Sequence, residues 1–279
     1  NETPFGPSPQ AIEAYRAAAD DLSHYPDGSA TLLRRAISAA YGLNPDRIVC
    51  GAGSDEILTL LTIAFVGPGD EVIHTEFGFL LYPIATRSAG GTPVAAKDAG
   101  HTADVDAILA RITDRTRVVF LANPNNPTGA LYPDDILRGI ADIAREHQLI
   151  IYADEIYDKV LYDNATHTSI ASLADDVLFV TLNGLSKNYR AAGFRSGWAV
   201  VSGQKQFARD YIAGLTMLAS MRLCANVPSQ FGIQTALGGY QSINDLVMPT
   251  GRLLRQRDLA WKLLTDLPGV TCYKPKAAM

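Results

Sequence analysis

Between residues 48 and 201, short apolar runs alternate with segments of helical periodicity, and this alternation constrains the fold more than any other feature of the sequence. Strand-like runs lie at residues 48–50, 71–74, 92–95, 118–122, 149–154, 177–182 and 198–201. Helical patterns separate most of them, notably at residues 79–88 and 133–147. Such alternation predicts an α/β fold with a mainly parallel sheet that helices cover on both faces.

The segments outside this region are mostly helical. Helical patterns at residues 10–19 and 30–41 are separated by a turn that places Tyr25 on a loop. Near the other end, residues 244–264 predict one long helix with an interruption at Pro249-Thr-Gly251, where a kink or a split into two helices is expected. We therefore expect a large domain at residues 21–240 and a smaller, incomplete α/β domain made of residues 1–20 and 241–279.

The composition excludes several classes of protein. Hydrophobic residues make up 47% and charged residues 19% of the 279 residues, which is typical of a globular chain. The net charge of −5 and the even spread of Lys and Arg argue against nucleic acid or an acidic membrane as a partner. No apolar run is long enough to span a bilayer and no signal-peptide pattern is present, so we expect a cytoplasmic protein.

The cysteines and histidines give no sign of a disulfide framework or of a metal site. Cys50, Cys224 and Cys272 are odd in number and far apart, which favours reduced thiols. The five histidines show no metal-ligand spacing, either together or with the cysteines. We therefore expect no bound metal.

Ser186 and Lys187 follow a predicted strand, and Arg195 comes eight residues after the lysine. A permanent cation near Lys187 would favour its neutral, nucleophilic amine, as a Schiff-base lysine requires. Arg195 could hold a phosphate in its planar guanidinium, with Gly193 and Gly197 allowing close packing. The alternative is that both cations are ordinary solvated residues, which is the commoner case for an isolated pair.

Gly51 and Gly53 precede a predicted helix. A dinucleotide-binding G-x-G-x-x-G fingerprint would need glycine at position 56, which is Glu56. What remains is a tight turn where the N–H groups of Gly53, Ser54 and Asp55 could hold a phosphate, while the side chain of Asp55 is expected to cap the helix. A plain turn before a helix is the alternative.

Two further predicted strands also end in polar side chains. Asn126 follows one of them within Asn123-Pro-Asn-Asn-Pro-Thr-Gly129, and Asp154 closes the next, with Tyr157 three residues on. In open α/β sheets ligands bind at the carboxyl ends of the strands, and a partly desolvated aspartate there needs a cationic partner. A plain turn and a helix cap are the alternative roles of Asn126 and Asp154.

These motifs, in this order and each at the end of a strand, resemble the pyridoxal-phosphate aminotransferases of the aspartate aminotransferase fold type. The resemblance covers essentially the whole chain, and it depends on the combination of Asn126-Pro-Thr-Gly, Asp154-x-x-Tyr157 and Ser186-Lys187 with Arg195. It implies pyridoxal 5'-phosphate as cofactor. It also implies transfer of an amino group between an amino acid, or histidinol phosphate, and a 2-oxo acid.

The resemblance implies a role for each residue at the reaction centre. Lys187 would form the Schiff base with the cofactor and carry the proton of the substrate's α-carbon. Asp154 would pair with the pyridine nitrogen and keep it protonated. Asn126 and Tyr157 would hydrogen-bond to the 3-oxygen of the ring.

The same resemblance assigns the phosphate and the ring face. The phosphate would be held by Ser186, Arg195 and the backbone amides of Gly53, Ser54 and Asp55. Phe79 falls where the family has an aromatic side chain stacked on the ring. Tyr25 matches a tyrosine that reaches the phosphate of the neighbouring subunit's cofactor, which implies a homodimer with shared active sites.

The two halves of the chain resemble different subfamilies. The motifs Asn1-Glu-Thr-Pro-Phe-Gly and Cys50-Gly-Ala-Gly-Ser-Asp-Glu are similar to histidinol-phosphate aminotransferase. Those from Ile151-Tyr-Ala-Asp-Glu to Met217-Leu-Ala-Ser-Met are similar to bacterial alanine aminotransferases. A switch near residues 123–132 would join them in a recombined or designed chain, and an uncommon natural subfamily is the alternative.

The resemblance also implies an arginine that grips the substrate's anionic group from the C-terminal part of the small domain. The sequence reaches Met279 before that region, so we expect slow turnover. Arg222, Arg252, Arg255 and Arg257 are alternative anion-binding residues.

Two other functions stay open. One is a carbon–sulfur lyase on the same cofactor scaffold, and the other is a cofactor-binding scaffold without a complete substrate site.

Overall fold

The computed structural model describes residues 3–204, 208–221 and 226–278, and a seven-stranded sheet forms its centre. The strands are β1 (Ile48–Gly51), β2 (Glu71–Thr75), β3 (Thr92–Ala96), β4 (Asp98–Ala99), β5 (Thr102–Ala103), β6 (Thr116–Ala122), β7 (Ile150–Asp154), β8 (Phe179–Gly184) and β9 (Gly197–Ser202). The sheet order is β1-β9-β8-β7-β6-β2-β3, while β4 and β5 form a separate hairpin. Neighbours from β3 to β8 are parallel, and β9 is antiparallel to both β8 and β1. The predicted α/β fold with a mainly parallel sheet is confirmed.

The helices lie close to where the periodicity predicts them. They are α1 (Pro9–Ala17), α2 (Thr31–Tyr41), α3 (Ser54–Phe65), α4 (Leu81–Ser88), α5 (Val105–Leu109), α6 (Asp134–Glu146), α7 (Arg209–Ser220), α8 (Val227–Gly238), α9 (Ile243–Val247) and α10 (Arg252–Thr265). The helix predicted at residues 244–264 is two helices, because Pro249 has no N–H to donate and Gly251 is extended at the N-cap of α10. The pattern also misses α5 and the β4–β5 hairpin, since these segments are too short to show a period.

Helices cover both faces of the sheet. On one face, α6 packs over the parallel strands, and α2 and α8 pack over β1 and β9. On the other face, α3, α4 and α7 share one apolar core with the sheet, built from Ile57, Leu58, Leu61, Tyr82, Leu215, Phe120, Tyr152, Val180 and Leu182. Each fully buried side chain of this size contributes about 1.5–3 kcal/mol, so this core supports the loops at the strand ends.

Because β2, β6, β7 and β8 are parallel, their carboxyl ends lie at one edge of the sheet. The antiparallel strand β9 begins at the same edge, where Gly197 pairs with Gly184 of β8 and with Gly51 of β1. The predicted site residues at this edge are Gly53, Phe79, Asn126, Asp154, Lys187 and Arg195. The strand order alone therefore gathers side chains that are far apart in the sequence.

The two ends of the chain pack against different parts of the molecule. Near the N-terminus, α1 packs against α8, and Ala11 joins a buried cluster with Leu33 and Ile233. Near the other end, α9 and α10 pack against residues 156–162, and Ala277 pairs with Leu161 in an isolated bridge. The division into a large domain at residues 21–240 and a small domain at residues 1–20 plus 241–279 stays a prediction.

Three further features concern thiols, metals and membranes. Cys50 is buried, Cys272 is a half-buried free thiol, and Cys224 lies outside the described residues. Within residues 3–204, 208–221 and 226–278, no group of three or more His, Cys, Asp or Glu side chains could hold a metal ion. In the same part of the chain, none of the helices has the length and apolar character needed to cross a membrane.

Candidate active site

The start of α3 has features that suit the binding of an anion. Gly53 is the N-cap and has a φ of 95°, which favours glycine. A Cβ on Gly53 would lie 2.6 Å from Nη2 of Arg195, so the guanidinium lies directly over this glycine. The first N–H groups of an α-helix have no partner within the helix, and the helix dipole is positive at this end. Backbone amides and a permanent cation therefore meet in one place, which suits a phosphate.

Arg195 is held over this turn by its backbone and by two carbonyl groups. Its φ of 46° is in the left-handed region, which a residue with a side chain seldom adopts. Nη1 donates to the carbonyl of Ala192 at 2.9 Å, and Nη2 donates to the carbonyl of Ala52 at 3.5 Å. Backbone strain of this kind clusters at binding sites, and here it directs the guanidinium toward the amides of α3.

Two details of the turn differ from the prediction. Asp55 is expected to cap α3, but no described side chain makes a capping hydrogen bond there. Oε2 of Glu56 instead accepts from the N–H of Ala52, the residue before the N-cap, at 2.7 Å. Gly193 is exposed, and a Cβ there would have nothing within 4 Å. A Cβ on Gly197 would lie 2.6 Å from the nitrogen of Ser54. Gly197 is therefore the glycine that allows β9 to approach α3.

Asp154, at the end of β7, is the buried carboxylate of the site, with 6% of its surface exposed. Its Oδ2 accepts from the Tyr82 hydroxyl at 3.3 Å, and its Oδ1 accepts from the N–H of Ile156 at 3.4 Å. Burial raises the pKa of Asp154 to about 6, and the charge of Asp55 adds to the rise. The two hydrogen bonds and the charge of Lys187 lower that pKa. A carboxylate held in this way gains strongly from a further cationic partner.

Lys187 lies on the turn after β8, beside Asp154 and Tyr157. Its Nζ is 5.8 Å from the centre of the Tyr157 ring, and its charge acts on the pKa of Asp154. Tyr157 is 1% exposed, while Ser186 and Lys187 are half-buried. Because β7 and β8 are neighbours, the lysine, the carboxylate and the phenol lie together at the sheet edge.

The loop after β6 uses two of its three asparagines to fix its own shape. Oδ1 of Asn123 accepts from the N–H of Tyr132 at 2.9 Å. Oδ1 of Asn125 accepts from the N–H and the hydroxyl of Thr128 at 3.1 and 2.7 Å. Asn126 is half-buried, and its side chain has no hydrogen-bond partner in the described part of the chain. Asn126 is therefore the asparagine of this loop that is available to a ligand.

Phe79 and Tyr82 lie between β2 and the first turn of α4. The half-buried Phe79 ring packs edge-on against Tyr82, with ring centres 5.9 Å apart. Tyr82 is fully buried and stacks on Phe120 at 4.6 Å. Sequence reasoning misses Tyr82 as a site residue, because a tyrosine on an apolar helix face is most often part of the core.

Tyr25 lies on the loop between α1 and α2. It is 84% exposed, and it lines a groove of about 250 Å³ together with Leu32, Val227 and Phe231. Its hydroxyl makes no hydrogen bond to any other described residue. A role for Tyr25 in a second subunit's site stays a prediction.

Among the arginines considered for the substrate anion, Arg257 is already paired. It is 9% exposed, and its Nη1 and Nη2 each donate to the Asp163 carboxylate at 2.8 Å. Arg252 and Arg255 are exposed on α10, and Arg222 lies outside the described residues. Arg257 therefore attaches α10 to the loop at Asp163 instead of being available to a substrate.

The whole of this chain, residues 1–279, matches the family Aminotransferase class I and II. The protein belongs to that family. Glutamate-pyruvate aminotransferase AlaA of Escherichia coli (strain K12) is 52% identical over 235 residues, which are 83% of this chain and 58% of the relative. Histidinol-phosphate aminotransferase of Rhodopseudomonas palustris (strain BisB18) is 48% identical over 198 residues, or 71% of this chain and 54% of the relative. A crystal structure of an aminotransferase from Escherichia coli superposes with a TM-score of 0.95 at 45% identity, and it covers 99% of this chain and 71% of that one.

The family resemblance predicted from the motifs is thus confirmed, and the family implies pyridoxal phosphate. The residues of this chain fit that group, since Gly53 leaves a cradle under Arg195 that any Cβ would fill. At the same edge, the buried carboxylate of Asp154 accepts only long hydrogen bonds, from the Tyr82 hydroxyl and the Ile156 N–H, so it could also accept one from a cationic ring nitrogen. The chain spans less than two thirds of the length of the two relatives, at 58% and 54%.

Proposed function

We propose that this protein uses pyridoxal phosphate to transfer an amino group between alanine and a 2-oxo acid. One arrangement carries the proposal, which is an anion cradle of α3 amides and Arg195 at the same sheet edge as the buried Asp154 and the half-buried Lys187. The cofactor offers a phosphate, a basic ring nitrogen and an aldehyde, and these three parts need such a cradle, a carboxylate and an amine.

The phosphate would be held by the N–H groups of Gly53, Ser54 and Asp55, by the Ser186 hydroxyl and by Arg195. Hydrogen bonds between a guanidinium and a phosphate are charge-assisted and about twice as strong as neutral ones. Because arginine does not lose its proton in proteins, this end of the site would grip the phosphate over a wide pH range.

Asp154 would keep the pyridine nitrogen protonated. The bound cofactor supplies an electron sink that makes the α-hydrogen of an amino acid acidic, and this depends on the positive nitrogen. The pKa of Asp154, about 6, leaves most of the carboxylate ionised at neutral pH, and a cation beside it lowers that pKa further. Asn126 and Tyr157 would hydrogen-bond to the ring's 3-oxygen, and Phe79 would cover one face of the ring.

Lys187 would attach the cofactor covalently through Nζ. Once free, the same amine would be the group that takes up and returns the proton of the substrate's α-carbon. Lys187 is half-buried on the turn that directly follows β8, so it lies at the carboxyl edge of the sheet.

Alanine is the proposed amino donor because the match to AlaA is both higher and longer than the match to the histidinol-phosphate enzyme, at 52% over 83% of the chain against 48% over 71%. Histidinol phosphate is the second candidate, since the N-terminal motifs resemble that subfamily. A recombined origin of the chain also stays a prediction, as does the carbon–sulfur lyase alternative.

A homodimer is part of the proposal. Large apolar side chains are exposed around Tyr25, with Leu22 54%, Leu32 60% and Phe231 37% exposed. Covering them with a second copy would remove apolar surface from water and would place Tyr25 near the partner subunit's phosphate. Tyr25→Phe should then weaken cofactor retention without changing the dimer's mass by light scattering.

The central experiment is borohydride reduction of the protein with pyridoxal phosphate, followed by intact mass and peptide mapping. We expect one stable adduct on Lys187 and none in Lys187→Ala. The matched control is Lys159→Ala, because Lys159 also lies near this edge and its Nζ donates to the Tyr189 hydroxyl at 2.8 Å. An adduct that stays in Lys187→Ala would contradict the proposal.

A second assay separates the candidate functions. Single-turnover spectra with alanine, histidinol phosphate and cystathionine, each followed by 2-oxoglutarate, report which amine is consumed and where its nitrogen goes. Amino transfer from alanine supports the proposal. Transfer from histidinol phosphate alone would assign the other subfamily, and release of pyruvate and a thiol from cystathionine would assign the lyase.

A further inference from the structure

We propose that Tyr82 is a positioning residue for Asp154, whose hydroxyl orients the carboxylate and keeps it ionised so that it can receive the cofactor's ring nitrogen. The inference rests on the proposed function, because the ionised state of Asp154 matters in that reaction. Tyr82 itself lies in the core beneath the site, so its action is through Asp154 and not on the substrate.

The Tyr82 ring is fixed before any ligand arrives. Its side chain is fully buried, it stacks on Phe120 with ring centres 4.6 Å apart and planes 4° from parallel, and Phe79 packs against its edge. A tyrosine has two side-chain torsions, and packing on two sides leaves neither free to change. The hydroxyl is therefore aimed at Oδ2 of Asp154 by the core itself.

A comparison with Tyr152 shows that this contact is specific. Both tyrosines are fully buried and both contact the Phe120 ring, at 4.6 and 5.2 Å. The Tyr152 hydroxyl bonds to the Leu61 carbonyl at 3.2 Å and to the Tyr211 hydroxyl at 2.7 Å, away from the site. Buried phenols need a partner, and the partner of Tyr82 is the site carboxylate.

The loop before α4 couples Tyr82 to the proposed ring-stacking residue. The N–H of Tyr82 donates to the Phe79 carbonyl at 3.0 Å, so the two residues belong to one turn. Gly78 makes this turn possible, because a Cβ there would lie 2.9 Å from the Thr75 carbonyl oxygen and 3.3 Å from the Tyr82 ring. One turn thus carries both Phe79, which is proposed to stack on the cofactor ring, and the Tyr82 hydroxyl, which donates to Asp154.

The chemical effect follows from the charge state that the hydroxyl favours. A phenol that donates to a carboxylate stabilises its ionised form, and this opposes the burial that raises the pKa of Asp154. Without the hydroxyl, a larger fraction of Asp154 would be protonated near neutral pH, and a protonated acid gives no counter-charge to a pyridinium. Tyr82→Phe should therefore raise the pKa of Asp154 by about one unit, since a hydrogen bond to a charged group is lost.

The test uses the cofactor-free protein first. With aspartate labelled at its carboxyl carbon, an NMR titration of the native protein, Tyr82→Phe and Tyr152→Phe follows the Asp154 signal, identified by its loss in Asp154→Asn. We expect the titration to move upward in Tyr82→Phe and to stay at the native position in Tyr152→Phe. Both variants keep the ring, and thermal melts check that they fold.

The second arm uses pyridoxal phosphate and alanine. In Tyr82→Phe, the acid limb of the half-reaction's pH profile should move up by the same amount as the NMR titration, while the profile of Tyr152→Phe should not move. An unchanged Asp154 titration in a protein that binds the cofactor would overturn the role of Tyr82 alone. Failure of the native protein to bind pyridoxal phosphate would instead overturn the proposed function, and this role with it.

Discussion

Asp154 and Glu155 are adjacent buried carboxyl groups whose side chains point to opposite faces of the sheet. Asp154 accepts hydrogen bonds of 3.3 and 3.4 Å and lies beside Lys187. Glu155 accepts shorter bonds to Oε1, from the Ser169 hydroxyl at 2.9 Å and from the N–H of Ile170 at 3.2 Å. Burial is the main cause that raises both pKa values, that of Asp154 to about 6 and that of Glu155 to about 8.

The difference shows that a raised pKa does not by itself mark a reaction centre. Glu155 has the larger shift, but its carboxyl is occupied in joining the loop at Ser169 to the sheet, and His167 lies 3.7 Å from its Oε2. Asp154 has the smaller shift, a cation beside it and oxygens that are only loosely held. Unused hydrogen-bonding capacity next to a lysine therefore distinguishes Asp154, the proposed functional carboxylate, better than the pKa values do.

The largest expected effect that tests this comparison is on catalysis. Asp154→Asn replaces the carboxylate by a neutral amide of the same shape. The half-reaction with alanine should slow by roughly a hundred- to several-thousand-fold, because a close, desolvated charge pair is worth about 3–5 kcal/mol. Stopped-flow single-turnover measurements check this. Glu155→Gln is the matched control one residue away and should keep the native rate, so equal losses in both variants would contradict the comparison.

The second effect is on stability, where we expect the substitution of Glu155 to have a larger effect than that of Asp154. In the folded state the pKa of Glu155 is about 8, above the ordinary value of 4.5. Between these pH values the folded state keeps a proton that the unfolded state has released, so the free energy of unfolding falls as pH rises, by roughly a few kcal/mol in total. Glu155→Gln should lose this slope. Urea unfolding at a series of pH values measures it, and a flat native curve would count against a buried, neutral Glu155.

A smaller effect of the same sign is expected for Asp154 in the cofactor-free protein. Its pKa rises from 3.8 to about 6, a narrower window than that of Glu155, so Asp154→Asn should stabilise the cofactor-free chain at neutral pH by less than Glu155→Gln does. With pyridoxal phosphate bound, Asp154→Asn should instead be less stable than the native protein, since the native carboxylate gains a cationic partner. Thermal melts with and without cofactor test this, and an Asn variant that gains as much from cofactor as the native protein would refute it.

The smallest effect concerns a single hydrogen bond. Ser169→Ala removes the hydroxyl that donates to Glu155 and should lower the free energy of unfolding by about 1 kcal/mol, with no change in the half-reaction. Ser172→Ala is the control, because the exposed Ser172 hydroxyl donates to the Ser169 carbonyl and not to a buried carboxyl. Chemical denaturation distinguishes the two, and similar small losses in both would show that the Glu155 contact contributes little.

Most of the sheet could be predicted from the sequence, because few structures other than a helix-covered parallel sheet fit apolar runs that alternate with helical patterns. The strands predicted at residues 71–74 and 118–122 end within one residue of β2 and β6 in the structure. The proposed site could be predicted in outline for the same reason, since Asn126, Asp154 and Lys187 each follow a strand and parallel neighbours end at one edge. Short segments such as the β4–β5 hairpin could not, because two residues show no period.

The sequence by itself determined which chemical groups stand at the strand ends and in what order, since residue type and spacing along a chain do not depend on the fold. Tertiary structure decided which of those groups meet. It put the Tyr82 hydroxyl on Asp154, turned Glu155 to the opposite face and paired Arg257 with Asp163. Such contacts join residues up to 94 positions apart, and they depend on sheet order, side-chain direction and burial, which no local pattern encodes.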